Sequence, residues 1–142
     1  MVEAVGSKVT RFKPGDRVMP IFTQSHLADV MPPDAYGHTL GGPRNGVMRT
    51  YATFNEETLV RAPESLDFVQ AASLPCAAVT AWNSIFGLES RAVKPGDWVL
   101  TQGTGGVSLF ALQVSDHRLT AWGLLKAVCE SGGCIRRVHD FL

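Results

Sequence analysis

The run from Asp97 to Gln113, Asp-Trp-Val-Leu-Thr-Gln-Gly-Thr-Gly-Gly-Val-Ser-Leu-Phe-Ala-Leu-Gln, constrains the fold of this 142-residue chain more than any other segment. Trp98, Val99, Leu100 and Thr101 form an apolar, β-favouring run that suits a buried parallel strand. Gly103, Gly105 and Gly106 let the backbone turn tightly and leave a ligand room to approach the main chain. Val107, Phe110 and Ala111 then lie on one helical face, so the pattern predicts a strand near 98–101, a turn at 103–106 and a helix from 106 to at least 113. A helix opening there offers unpaired N–H groups and the positive end of its dipole to an anion, the geometry of a dinucleotide-phosphate cradle. Against Gly-x-Gly-x-x-Gly, the third glycine is replaced by Ser108. The acid expected about 20 positions on is also absent, since no carboxylate lies between Asp116 and Glu130. A purely structural turn between a core strand and a helix fits the same residues. A P-loop does not, because Val107 and Ser108 follow Gly106 where that motif requires Lys.

Upstream, Lys13-Pro-Gly-Asp16 and Lys94-Pro-Gly-Asp97 repeat one turn, with Pro fixing φ at one central position and Gly supplying positive φ at the next. Each should lead into a strand, the first over Arg17–Phe22. Residues 23–45, with Pro32-Pro33 and Gly41-Gly42-Pro43, read as a long loop. Met48–Phe54 and Thr58–Ala62 read as two short strands. Ser65–Ser73 reads as a short helix, and Pro75 suits the first turn of a longer one through about Phe86.

Four blocks in order carry a resemblance. They are Val9-Thr-Arg-Phe-Lys-Pro-Gly-Asp-Arg-Val18; Gly41-Gly42 with Tyr51; Leu66-Asp67 leading into Ala71-Ala-Ser-Leu-Pro-Cys-Ala-Ala-Val-Thr-Ala-Trp82; and Val93-Lys-Pro-Gly-Asp-Trp-Val-Leu100 with Gly103-Thr-Gly-Gly-Val107. Together the chain resembles the medium-chain dehydrogenase/reductase superfamily, nearest its zinc-type alcohol dehydrogenase and quinone oxidoreductase-like members, from the first residues to about Gln113. The resemblance implies an α/β chain. A partial GroES-like β-barrel catalytic domain would cover residues 1–64, and the beginning of a Rossmann doubly wound nucleotide-binding domain residues 65–113. It implies NAD or NADP held by Gly103, Thr104, Gly105, Gly106 and Val107, with Thr80 beside the nicotinamide end. It also implies hydride transfer to or from an alcohol, a carbonyl or an activated double bond of a small-molecule substrate, and is compatible with a homodimer in a full-length member.

Length qualifies this, since such a two-domain protein needs more than 142 residues. Met1–Gly6 reads as the interior strand that follows the family's early catalytic segment, so a fragment truncated at both ends is expected. After Gln113, Val114-Ser-Asp-His-Arg-Leu-Thr-Ala-Trp122 breaks the family pattern. Val114-Ser115 is what a common splice-donor hexamer encodes, and Leu119-Thr120 what a common branch point encodes, so residues 114–142 read as translated intron followed by out-of-frame exon. The competing reading is a divergent tail with Leu119, Trp122, Leu124, Leu125 and Val128 on one helical face.

Charge excludes some functions: 13 basic and 13 acidic residues leave no polycationic surface for nucleic acid or anionic membrane. No apolar run approaches the ~20 residues needed to span a bilayer, and the N-terminus lacks secretory-signal character, so a cytoplasmic location is expected. Cys76, Cys129 and Cys134 are odd in number and without paired spacing, which argues against a disulfide framework or a zinc ribbon.

Cys76 stands where zinc-dependent relatives can carry a metal ligand. The remaining ligands would come from a segment before Met1, and His26 and His38 have no ligand spacing to it, so no metal site is expected and Cys76 reads as a buried small hydrophobe. Thr80 reads equally as a cofactor contact or as a helix threonine bonded to its own backbone. Trp82 reads as core beside Ile85 and Phe86. Tyr36, Tyr51 and His38 read as packing or solvated residues, and the catalytic residues stay unassigned. Two functions remain: part of an NAD(P)-dependent oxidoreductase, or a non-catalytic fragment or interaction module without activity as it stands.

Overall fold

The computed structural model describes residues 1–28, 30–119 and 124–126, with side chains described through residue 115. It divides into two compact units, Met1–Pro75 and Cys76–Leu142.

In the first unit, the Lys13–Asp16 turn forms as its sequence dictates. Gly15 takes φ 91°, the Asp16 N–H donates to the Lys13 carbonyl at 3.1 Å, and the Lys13 N–H donates back to Asp16 Oδ2 at 3.0 Å. The turn delivers the chain into β1 (Val18–Pro20), which pairs antiparallel with β2 (Leu59–Arg61), Met19 opposite Val60. Alternation turns Met19 inward, where it packs with Ala62 and Ala71, flanked by Leu66 and Leu74. α1 (Phe68–Ala72) begins at a reciprocal cap. Asp67 Oδ1 accepts from the Gln70 N–H at 2.7 Å while the Gln70 side chain accepts from the Asp67 N–H at 2.9 Å.

Several expected strands are shorter or absent. Arg17–Phe22 contracts to β1, and Thr58–Ala62 to β2. Met48–Phe54 forms no strand: the exposed Met48 and Tyr51 find no facing strand, and pattern without a pairing partner does not make a sheet. Residues 1–6 form no strand either, although Val2 exchanges hydrogen bonds with Gly15 and Asp16 at 2.9 and 2.8 Å.

Where strands are few, charged side chains tie loops to the sheet. Glu56 Oε2 accepts from the N–H groups of Thr10 and Arg11 at 3.0 and 2.7 Å, and Arg11 Nη1 returns to the Glu56 carbonyl and to Glu57 Oε2 at 2.9 and 3.0 Å. Arg61 pairs with Asp16 at 3.2 Å and donates to the Arg11 carbonyl at 3.1 Å, with Arg11 and Arg61 both lying over the buried Phe12 ring. Arg17 donates to the carbonyls of Pro63, Glu64 and Leu66 and stacks 4.6 Å from the Phe68 ring.

In the second unit, α2 (Val79–Phe86) continues from a π turn over Leu74–Ala78 that straddles the unit boundary. The wide turn contains Pro75, which has no N–H to give to a tighter ladder. β3 (Leu100–Gln102) follows a second Lys-Pro-Gly-Asp turn, in which Gly96 has φ 96° and Asp97 Oδ2 accepts from the Lys94 N–H at 2.8 Å. α3 (Gly106–Leu119) packs against α2, with Ala81 and Ile85 buried, and β4 (Leu124–Lys126) pairs parallel with β3, Thr101 opposite Leu125. The strand, glycine turn and helix expected at 98–113 are therefore present, with the strand displaced to 100–102. One expectation about the tail fails. α3 runs on past Gln113, and Leu124 and Leu125, expected on one helical face, lie instead in a strand paired parallel with β3. Trp122 and Val128 fall outside the described residues.

Gly15→Ala should destabilise the first unit by about 1 kcal/mol in urea unfolding followed through Phe12 and Met19 resonances. A Cβ there meets nothing within 4 Å, so the cost is that of a positive φ alone. An unchanged midpoint would contradict the turn geometry. Acid should weaken the same unit. Lys13's backbone N–H, with Arg61 adding attraction, holds Asp16 below its ordinary 3.8, and the N–H groups of Arg11 and Thr10 hold Glu56 below 4.5. Lowered carboxyls stabilise fully above their ordinary values and lose that contribution as pH falls through the lower folded ones. The midpoint should therefore drop from about pH 5 downward, and Asp16→Asn should flatten the drop; a flat profile in the parent chain would refute it.

Candidate functional site

β3 ends at Gln102 and the backbone reverses at Gly103, whose φ of 81° places it where side chains are strained. Thr104, Gly105 and Gly106 continue the turn, exposed. The first bond of α3 runs from the Leu109 N–H to the Gly105 carbonyl at 3.0 Å, so the N–H groups of Gly106, Val107 and Ser108 precede the helical ladder and point out of its first turn. Val107 is 40% exposed at that opening. A Cβ added at Gly103 or Gly105 would meet nothing within 4 Å, which leaves the face above the turn open.

The other side of the turn is closed. A Cβ at Gly106 would stand 3.2 Å from the Ala77 Cβ, so Gly106 lets α3 lie against the turn that opens α2. Ser108 occupies the third position of the glycine pattern and its Oγ donates to the Gln102 carbonyl at 2.7 Å, tying the end of β3 to the first turn of α3. The close-packing role of a third glycine thus passes to Gly106, which the spacing alone did not reveal. Thr101 is buried, and its Oγ1 has no partner among the described residues.

Thr80 lies on α2 one turn beyond Ala77, exposed, its carbonyl accepting from Ser84 Oγ at 2.8 Å. The close approach of Ala77 and Gly106 brings the turn that opens α2 to the N-terminal end of α3, and Thr80 follows Ala77 by three residues. Cys76 is exposed, against the expectation of burial, on the π turn over Leu74–Ala78, in which no residue is buried. Trp82 is 44% exposed, also against expectation. Its ring lies 4.9 Å from Phe86 at 56°, while Ala81 and Ile85 take the buried face of α2. Among the described residues no three of His, Cys, Asp and Glu gather closely enough to hold a metal ion. Tyr36 and Tyr51 are exposed, and His38 Nε2 pairs with Asp34 at 3.0 Å. No helix of the described residues is long and apolar enough to cross a membrane.

Comparison with known proteins places this geometry. The alcohol dehydrogenase GroES-like domain matches residues 1–64. A zinc-type alcohol dehydrogenase-like protein of Schizosaccharomyces pombe is 49% identical over 114 residues, covering 80% of this chain and 33% of its own. Human quinone oxidoreductase is 34% identical over 116 residues, covering 81% of this chain and 29% of its own. Among solved structures, one described as a candidate alcohol dehydrogenase from Sinorhizobium meliloti 1021 superposes with a TM-score of 0.80 at 41% identity, over 89% of this chain and 37% of that one. An NAD-dependent alcohol dehydrogenase gives 0.74 at 29% identity, over 90% and 38%. The chain spans about a third of the length of the relatives it matches. With its GroES-like match, these relatives and this superposition, the chain belongs to the medium-chain dehydrogenase/reductase superfamily.

Proposed function

We propose that the chain is part of an NAD(P)-dependent oxidoreductase that moves a hydride between nicotinamide and an alcohol, a carbonyl or an activated double bond. The observation that carries this reading is the turn at Gly103, which aims the unladdered N–H groups of Gly106, Val107 and Ser108 at open space above the end of a parallel strand. In parallel sheets ligands gather at the carboxyl ends of strands, and an anion placed there meets both the N–H groups and the helix dipole. The open face at Gly103 and Gly105 fits a pyrophosphate, which a side chain at either position would displace. This stretch would be the start of a Rossmann domain.

Bound there, the cofactor supplies or accepts the hydride. The chain's own residues bind and orient. Gly106, Val107 and Ser108 hold the phosphates through their N–H groups, Gly105 keeps the approach clear, and Ser108 Oγ fixes the turn by its bond to Gln102. Thr80, exposed on α2, would offer its hydroxyl to the nicotinamide-side ribose or carboxamide. The names of the alcohol dehydrogenase and quinone oxidoreductase relatives support the hydride-transfer class.

NADH fluorescence titration tests the cradle. Leu100 is 64% and Trp98 76% exposed, so the sheet holding the turn lacks much of its cover and affinity should be weak, with saturation at a dissociation constant on the order of 1 mM. Gly105→Val should weaken it at least about tenfold with an unchanged far-ultraviolet spectrum, by filling the space the phosphates need. Equal binding by the variant, or no saturation by the parent chain, would overturn the proposal.

A further inference from the structure

The first unit holds a cavity of about 570 Å³ within the loop lobe between β1 and β2, well away in sequence from the glycine turn. The lobe is internally bonded. Gln24's N–H donates to the His38 carbonyl at 3.0 Å, Leu40's to Phe22 at 3.1 Å, Arg44's to Thr39 at 3.1 Å and Gly41's to Arg44 at 2.9 Å. The volume lies within the range of small-molecule sites, roughly 300–1,000 Å³.

The chemistry of its wall is one-sided. Arg44 and Arg49 line it, and neither guanidinium has an ion-pair partner among the described residues. No Asp or Glu lines it, and the sequence carries no carboxylate from residue 35 to residue 55. The nearest acids are engaged elsewhere: Asp34 on His38, Glu57 on Arg11, and Glu56 on the N–H groups of Thr10 and Arg11. Ser25 also lines the cavity. Its Oγ is buried with no hydrogen-bond partner, which costs free energy unless a ligand or water meets it. Asn55 Oδ1 is spent on the Glu57 N–H at 2.9 Å, leaving the side-chain amide N–H donors for the cavity. Leu27, Leu40 and Phe54 supply an apolar wall. A cavity with two unpaired guanidiniums, further donors, no carboxylate and one apolar side suits an anionic oxygen group attached to a hydrocarbon body.

We propose that this cavity binds a small organic anion, a carboxylate or a phosphate monoester, with Arg44 and Arg49 on the charged oxygens, Ser25 donating to one of them, and Phe54 and Leu40 against the apolar part. The site is built from residues of the first unit alone and does not depend on a nicotinamide cofactor.

The full chain should be titrated at constant ionic strength with benzoate, phenyl phosphate and the neutral benzamide, following the backbone amide resonances of Gln24, Ser25, Arg44 and Asn45. Saturable shifts from benzoate, from phenyl phosphate or from both are expected, and which anion binds more tightly assigns the source of the charge. Benzamide should bind at least about tenfold more weakly, since each charge-assisted contact is worth that factor or more. Arg44→Gln with Arg49→Gln should abolish saturation while leaving the amide spectrum of β1 and β2 dispersed, and Ser25→Ala should weaken binding severalfold. Failure of both anions to saturate, benzamide binding as tightly as they do, or undiminished binding by the double variant would each overturn the proposal.

Discussion

The second unit depends on one close approach, that of Gly106 to Ala77. With a hydrogen in place of a side chain at 106, α3 lies against the turn that opens α2, and the buried face of Ala81 and Ile85 closes behind it. Gly103 sets the direction in which α3 begins, because its positive φ reverses the chain at the end of β3. The two glycines do different physical work, one supplying a backbone angle and the other an absence of volume. Between them they leave three N–H groups unladdered at an open surface.

The first unit is built on another principle. It has one short antiparallel strand pair among its described residues, and its loops are joined by scattered backbone–backbone bonds and by charged side chains reaching between them. Glu56 caps two N–H groups, Arg17 collects three carbonyls, and Arg61 bridges Asp16 and Arg11. Such bonds to backbone groups hold better than exposed ion pairs, since the charge is directed by geometry and the partner group cannot leave. This scaffold holds the loop lobe open enough for a cavity without spending its arginines at 44 and 49.

Local chemistry was legible in the sequence where it is self-sufficient. Both Lys-Pro-Gly-Asp turns and the strand–turn–helix at the glycines follow from residues within a few positions of each other, whereas the helix expected over Ser65–Ser73 starts only after the Asp67 cap. What depended on distant partners was not legible. Met48–Phe54 has strand-like composition but no neighbour to pair with, and Leu124–Leu125 joins β3 although its own pattern reads as helical. Cys76 and Trp82 were misplaced: Cys76 is exposed on a π turn that regular helical spacing does not foresee, and on α2 the buried face is taken by Ala81 and Ile85. The role of Gly106 lay hidden behind the substitution of Ser108 for the third glycine. The loop cavity left only one trace in the sequence, two arginines inside a 21-residue stretch, residues 35–55, free of carboxylates.

The most direct measurement of the account is a nuclear Overhauser contact between the Ala77 methyl group and the Gly106 α-protons, taken with the chemical shifts of residues 103–109. A clear cross-peak, with helical shifts beginning at Gly106 and a non-helical Gly103, is the predicted result. No cross-peak, with random-coil shifts through residues 103–109, would mean that the close approach does not form and that the glycine turn presents no fixed cradle.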